Sequence, residues 1–291
     1  MILIPQRLFV LPQVSTLLRD GNRSILQKRL TAAVKQREGY LSEHAISLVL
    51  QGEQQITTYE GNTFVLKAGE AALIPRGIYY ITDLVPTAGN FESLLFYFDD
   101  NLVQDFLQAR NGAALRPNMG TVDWFSIGRQ PELLIYGQNL LQLYGAGISR
   151  QRELTRIKIL ELLLLIDDLG VRPDFVQALF QLSLPKQRNI KAFMAANFDK
   201  PLKVEDYAYL TGRSLSSFRR DFKSFFATTP QAWLKAQRLE KARQIALVRS
   251  ISVTELAYEV GYENISYFIK AFKDRFGQSP KQMMLQQGVN I

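Results

Sequence analysis

The sequence predicts an α+β chain in two parts: an N-terminal antiparallel β-barrel with a helical segment after it, and an all-α C-terminal third. Three observations predict it. Between residues 46 and 98, short runs rich in Ile, Val, Thr and aromatics alternate with turn signals. After Asp99 the apolar residues change to helical spacing, with Leu102, Phe106 and Ala109 on one face. Beyond residue 200 a helical pattern occurs twice, and the charge balance changes sharply just before it.

The strands are expected at 46–50, 54–59, 63–66, 71–75, 79–83 and 91–98, separated by turns at 51–53, 61–62, 68–70, 76–77 and 87–90. Short strands at such spacing favour a sandwich or barrel. The first 45 residues carry a weaker pattern, with room for one or two more strands. Helices follow at about 132–143 and 153–169. The second is apolar at most positions apart from Arg156, Lys158 and Glu161. Such a helix must be covered, either by the barrel or by a second subunit. Residues 182–188, which contain Pro185, read as a linker, so the domains are expected at 1–184 and 185–291.

The C-terminal third is expected to form helices at about 187–197, 204–211, 215–225, 231–247, 253–260, 265–276 and 281–286. Start signals support the boundaries. Thr229-Pro230 and Ser279-Pro280 each place a capping hydroxyl before a proline at the first helical position. Ser252-Val-Thr-Glu255 has the spacing of a capping box. Gly212 and Gly261 stand where helices end and positive φ costs least.

This third contains an internal duplication. Ala208-x-x-x-Gly212 recurs as Ala257-x-x-x-Gly261. Phe218-x-x-x-Phe222-Lys223-x-x-Phe226-x-x-x-Pro230 recurs fifty residues on, as Phe268-x-x-x-Phe272-Lys273-x-x-Phe276-x-x-x-Pro280. The glycines are offset by forty-nine, so the second copy has one extra turn residue near Glu263-Asn264. Each copy is a short helix, a Gly-containing turn and a longer helix with Phe at i, i+4 and i+8, the pattern of a helix-turn-helix motif. The small Ala lets the first helix cross closely over the second, and the Phe face buries the second helix. The opposite side is left to enter a DNA major groove. On that side the first copy offers Arg213, Ser216, Arg219, Arg220 and Lys223, and the second Ser266, Tyr267, Lys270, Lys273 and Arg275. Such side chains can donate to guanine edges or to phosphates. The helix between the copies would set the distance between them.

Charge agrees with this reading. The net charge is +8, but residues 1–185 hold seventeen Lys and Arg against eighteen Asp and Glu, whereas 186–291 hold eighteen against nine. The excess lies wholly in the duplicated part, which points to a polyanion, nucleic acid before an anionic membrane surface. Other classes recede. With no cysteine, disulfides, thiolate metal sites and Cys nucleophiles drop out. With one histidine, His44, neither a His-rich metal centre nor a Ser-His-Asp site is expected, and His44 is expected to be structural. The longest aliphatic run, 162–166, is far short of a membrane span, and Pro5 and Arg7 interrupt the apolar N-terminus, so neither a span nor a signal peptide is expected.

The segment from Ile190 to Met284 resembles the DNA-binding domain of AraC/XylS-type transcription regulators. The residues that carry the resemblance are Ser252-Val-Thr-Glu-Leu-Ala-Tyr-Glu-Val-Gly-Tyr-Glu-Asn-Ile-Ser-Tyr-Phe268, Phe272-Lys273-x-x-Phe276-Gly277-x-Ser279-Pro280, and Arg238-x-x-x-Ala242 in the linking helix. It implies base contacts from Ser216, Arg219 and Arg220 in one motif and from Ser266, Tyr267 and Lys270 in the other. Lys203 departs from the pattern, which has a Ser/Thr-type cap there, and Ser216 is smaller than usual. The N-terminal part is similar to the family's cupin-like regulatory domain through Leu66-x-Ala-Gly69-Glu-Ala-x-Leu-Ile74-Pro75-x-Gly77. Tyr79 and Tyr80 stand where sugar-responsive members often carry a His. Within the family the chain looks most like the ExsA-type branch, regulators of type III secretion genes, through Lys158-Ile-x-Glu161-Leu-Leu, Gly212-x-x-Leu215-x-x-Phe218 and Pro230-x-Ala232-Trp233, a resemblance that implies control by a partner protein rather than a small ligand.

The resemblance implies a sequence-specific transcription regulator, an activator rather than an enzyme. With one histidine and no cysteine no metal or cofactor is expected, and with neither span nor signal peptide expected the compartment is expected to be the cytoplasm. Its expected partners are double-stranded DNA in two successive major grooves, RNA polymerase, a second copy of the chain docked through the helices of 130–170, and a regulatory protein or small-molecule effector sensed by the N-terminal domain. A filled barrel interior would favour a protein effector, and an open polar pocket a metabolite. Two rivals differ in kind: a metal-free ligand-binding or catalytic cupin-like protein, and a non-specific basic nucleic-acid or membrane-surface binder. Competition between specific and random DNA separates the last from the first reading.

Overall fold

A computed structural model describes residues 1–109, 123–145, 151–170, 174–182 and 187–286. The chain divides into two compact units, Met1–Leu184 and Pro185–Ile291. The middle of the expected linker, residues 183–186, lies outside the described residues.

The first unit is built on two sheets. Its strands are β1 (Ile2–Ile4), β2 (Val14–Asp20), β3 (Arg23–Leu30), β4 (Val34–Leu41), β5 (His44–Gln51), β6 (Glu53–Thr58), β7 (Thr63–Lys67), β8 (Glu70–Ile74), β9 (Gly77–Leu84), β10 (Phe91–Phe98) and β11 (Phe125–Arg129). One sheet has the order β1-β4-β9-β6-β7 and the other β11-β8-β5-β10-β3-β2. All pairings are antiparallel except β1 with β4. The antiparallel β unit expected from the turn spacing is present, and the first 45 residues supply four strands and the start of a fifth, where one or two were expected. Helices α1 (Asp100–Ala109), α2 (Pro131–Tyr144), α3 (Gln151–Asp168) and α4 (Phe175–Leu182) complete the unit. The sequence pattern gives no sign of strand β11 or helix α4.

Two apolar cores share the six-stranded sheet. Leu26, Val49, Ala72, Leu95 and Tyr97 face the other sheet, where they meet Leu41, Ile56, Phe64 and Tyr79. From the reverse side, Ile46, Leu48, Leu94, Phe96 and Phe98 meet the helices. Alternation of side chains along a strand gives each core every second residue. This explains why β10, FESLLFYF, reads as an almost unbroken apolar run. One face of α3 is covered by its own unit. Ile159, Leu162, Leu163 and Ile166 are buried in the helix-side core, leaving Ile157 and Leu164 exposed.

His44 is buried and holds the start of α1. Its Nδ1 accepts the Arg76 backbone N–H at 3.0 Å, so Nε2 carries the hydrogen and donates to Asp100 Oδ1 at 2.8 Å. Among the described residues, no cluster of His, Asp or Glu is arranged to hold a metal ion, and no helix is long and apolar enough to cross a membrane.

The second unit is helical: α5 (Ile190–Asn197), α6 (Val204–Leu210), α7 (Leu215–Phe226), α8 (Pro230–Val248), α9 (Val253–Glu259), α10 (Ile265–Phe276) and α11 (Pro280–Gln286). The expected caps form. Thr229 accepts from the Ala232 N–H, while Ser252 and Glu255 close a reciprocal box. Ser279 and Gln282 close another in front of α11. At Lys203 only half a box exists. Asp206 accepts the Lys203 N–H at 2.9 Å, but an ammonium side chain has no lone pair with which to return the bond.

Candidate nucleic-acid interface

The duplication seen in the sequence is also a duplication in hydrogen bonding. After α6, Gly212 takes φ +69° and donates to Tyr209 O at 2.8 Å, and Arg213 N donates to Ala208 O at 2.9 Å. After α9, Gly261 takes φ +82° and donates to Tyr258 O at 3.1 Å, and Tyr262 N donates to Ala257 O at 2.9 Å. Both turns are Schellman closures, which need a left-handed residue and so favour glycine. Ala208 and Ala257 are buried under the crossing helices. The copies differ in the step to the next helix. Ser214 caps α7 two residues after its glycine, through the Ser217 N–H, and Asn264 caps α10 three residues after, through the Tyr267 N–H. That is the extra residue counted in the sequence.

Each long helix buries one aromatic stripe. Phe218 and Phe222 of α7, and Phe268 and Phe272 of α10, are fully buried. In the first copy the stripe continues through Phe226, stacked on Phe222 at 4.3 Å, to Trp233 of α8 at 4.9 Å. In the second, Phe272 meets Phe276 at 4.7 Å. At 3.6 residues per turn, Ser216, Arg220 and Lys223 fall opposite the first stripe, with Arg219 on its flank. Ser266, Tyr267, Lys270 and Lys273 fall opposite the second. All eight are exposed, Tyr267 by 53%. Equivalent positions pair Ser216 with Ser266, Arg220 with Lys270 and Lys223 with Lys273. Arg219 pairs with Ile269, so the outer face of the first copy carries one more cation, although each helix holds three basic residues and one Asp.

Two residues expected on the outer faces are engaged elsewhere. Arg213 donates from Nε to Asp221 at 3.2 Å and from Nη1 to Arg188 O at 3.0 Å, and only 18% of its side chain is exposed. It ties the α6–α7 turn to the start of the unit. The Arg275 guanidinium is exposed but lies over the Phe276 ring at 5.6 Å, on the aromatic side of α10.

One inward group enters the sequence reading only through the family resemblance. Arg238, on α8, donates to Phe198 O at 2.7 Å, Lys200 O at 2.5 Å, Leu202 O at 3.3 Å and Gly261 O at 3.1 Å. Beside it Tyr207 donates to Asn197 O at 2.8 Å, and burial pushes its phenol up to about 12. Spacing alone does not distinguish such an arginine from those on the outer faces.

Residues 207–286 match the family described as a helix-turn-helix domain, and residues 44–177 the one described as the ExsA N-terminal regulatory domain. The chain is 31% identical over 253 residues to the virulence regulon transcriptional activator VirF of Yersinia enterocolitica serotype O:8, across 84% of this chain and 90% of that one. It is 27% identical over 248 residues to the HTH-type transcriptional regulator ExsA of Pseudomonas aeruginosa, across 82% and 85%. Among solved structures it is similar to an apo single-residue variant of ToxT of Vibrio cholerae, at 10% identity and a TM-score of 0.45, over 92% of this chain and 99% of that one.

Proposed function

The chain belongs to the ExsA-type branch of the AraC family of DNA-binding transcription regulators, and from that premise we propose that it is a sequence-specific activator reading two successive major grooves. Its relatives are regulators of transcription, not enzymes. The observation that carries the proposal is the matched pair of turns and aromatic stripes, which leaves Ser216, Arg219, Arg220 and Lys223, and Ser266, Tyr267, Lys270 and Lys273, on exposed helix faces. Arg and Lys at such positions read guanine or neutralise phosphate, and two similar heads fit a bipartite site. Selection of bound fragments from random DNA should return two half-motifs about one helical turn apart. Enrichment of no motif would sink the reading in favour of a non-specific binder.

The first unit is assigned sensing and self-association. For self-association the support is a run of exposed apolar side chains, Ile135 and Leu143 on α2 with Ile157 and Leu164 on α3. Contact with RNA polymerase and a cytoplasmic location follow from the role. For sensing, the space between the two sheets is neither filled nor wholly polar. A cavity of about 350 Å³ is walled by Ile4, Leu30, Ile56 and Ile81 and contacts Lys28, Asp83 and Tyr97. Gln54 and Lys28 both donate to Asp83, so its charge is already paired, and further Lys28 hydrogens and the Tyr97 hydroxyl remain as donors. This favours a small effector with an apolar body and an acceptor head over a protein partner. A thermal shift from an alkyl carboxylate, absent with its hydrocarbon analogue and absent in Tyr97→Phe, is the expected result. No shift with any such compound would return the assignment to a protein partner.

A further inference from the structure

Inside the second unit, the turn of the second motif rests on the segment leading into the first. A Cβ placed on Gly261 would come within 2.6 Å of Asp199 O and 2.9 Å of Lys200 O, so backbone meets backbone there with no room for a side chain. The group that ties these segments together is Arg238. Its guanidinium donates to three carbonyls of the 198–202 segment and to Gly261 O, and it approaches the Tyr207 hydroxyl at 3.4 Å. One turn further along α8, Lys241 Nζ pairs with Asp199 Oδ2 at 2.5 Å and lies over the Phe198 ring at 5.9 Å. The planar guanidinium has five donors in a fixed fork, and each bond to a different carbonyl removes one freedom of the second motif relative to the first. A lysine ammonium, a single point of charge, could not reach carbonyls on both sides at once.

We propose that Arg238 is a positioning residue for DNA recognition: it fixes the separation and phase of the two reading helices, and through them the one half-site spacing the protein accepts. This rests on the two-headed reading above. The duplication supports assigning the role to this one residue. The position fifty residues on, Gly288, carries no side chain that could do the same, so the constraint belongs to the junction between the copies and not to each motif.

The test compares the full-length protein and its Arg238→Met variant on a series of duplexes whose two half-sites are moved apart or together one base pair at a time. Each base pair shifts one head by about 3.4 Å along the duplex and about 34° around it. The wild type should lose at least tenfold in affinity for one inserted or deleted base pair. Arg238→Met should lose less than threefold, while its binding to an isolated half-site stays at the wild-type level. Arg238→Lys should fall between the two. A variant whose affinity drops equally at every spacing, with the wild-type profile kept, would reduce Arg238 to a stabilising residue and overturn the proposal. If Arg238→Met does not fold, Arg238→Lys carries the test: a lysine can hold only one side of the junction, so its profile should be broader than that of the wild type, and an unchanged profile overturns the proposal. A wild type that does not distinguish the two-half-site duplex from random DNA would instead overturn the two-headed reading itself.

Discussion

The Arg220 guanidinium stands beside a carboxylate of its own helix: Nε lies 3.4 Å from Asp221 Oδ1, while the other oxygen of that carboxylate accepts from Arg213. Asp221 is thus anchored from the core side and in turn steers Arg220, 76% exposed, on the outer face of α7. Arg220→Ala should cost about 1–3 kcal/mol on a cognate site and clearly less on random DNA. Equal losses on both, in a titration at one salt concentration, would make Arg220 a phosphate contact.

The surplus of positive charge in the second unit makes affinity a function of salt. With roughly six phosphates neutralised, the affinity of the full chain should fall about a thousandfold between 50 and 200 mM salt. Lys223→Gln and Lys273→Gln should each flatten the slope by about one contact without altering sequence preference. A flat dependence on salt would rule out the polyanion reading.

Within α7 two neighbouring aromatics should behave in opposite ways. Phe222 is fully buried between Phe218, Phe226 and Trp233, so Phe222→Ala should destabilise the second unit by about 3–5 kcal/mol. Phe225 is 48% exposed, and Phe225→Ala should stay within about 0.5 kcal/mol. Denaturant melts followed by Trp233 fluorescence report on both. Similar costs would mean that the stripe is not the core of the motif.

Two acidic residues of the first unit give opposite pH dependences. Burial holds the Glu43 carboxyl above its usual range, only partly offset by the hydrogen bond from Asn22. A raised acid favours the folded state fully below its unfolded pKa, and that contribution is lost as pH rises through the folded value. Asp100 is held below its usual range by the hydrogen bond from His44, so its contribution is present above the unfolded value, about 4, and is lost on acidification. Glu43→Gln keeps an acceptor for Asn22 and should raise stability at pH 7, with the gain gone below about pH 4. Denaturation at both pH values checks this, and a gain that persists at the lower pH would contradict it.

Much of this architecture is legible because its signals are local. The bounds of β10 and α10 follow from turn residues, a cap and aromatic spacing, all within a dozen positions. The first 45 residues are harder. In β4, VKQREGYL, the first half lies at a sheet margin and carries charge, so it lacks the alternation of a half-buried strand. Strand β11 has five residues and pairs only with β8, while α4 spans two turns, too little for a period to stand out. At the site, residue type and helical phase locate the outer faces, but they do not separate arginines that face solvent from arginines that bond carbonyls. Arg213 and Arg238 are of the second kind because of segments far from them in sequence, Arg188 for one and 198–202 for the other.

Strand β10 has no spare face. From Ser93 to Phe98 every side chain is buried, and the apolar ones alternate between the cavity-bearing core and the helix-bearing core. Drift along this strand is therefore confined at each step by whichever of the two cores that residue serves. A change that enlarges Leu95 or Tyr97 toward the cavity also moves the backbone from which Leu94, Phe96 and Phe98 brace the helices. One peptide layer therefore separates the cavity from the helices, and the effector proposed for the first unit would press on the strand that braces them.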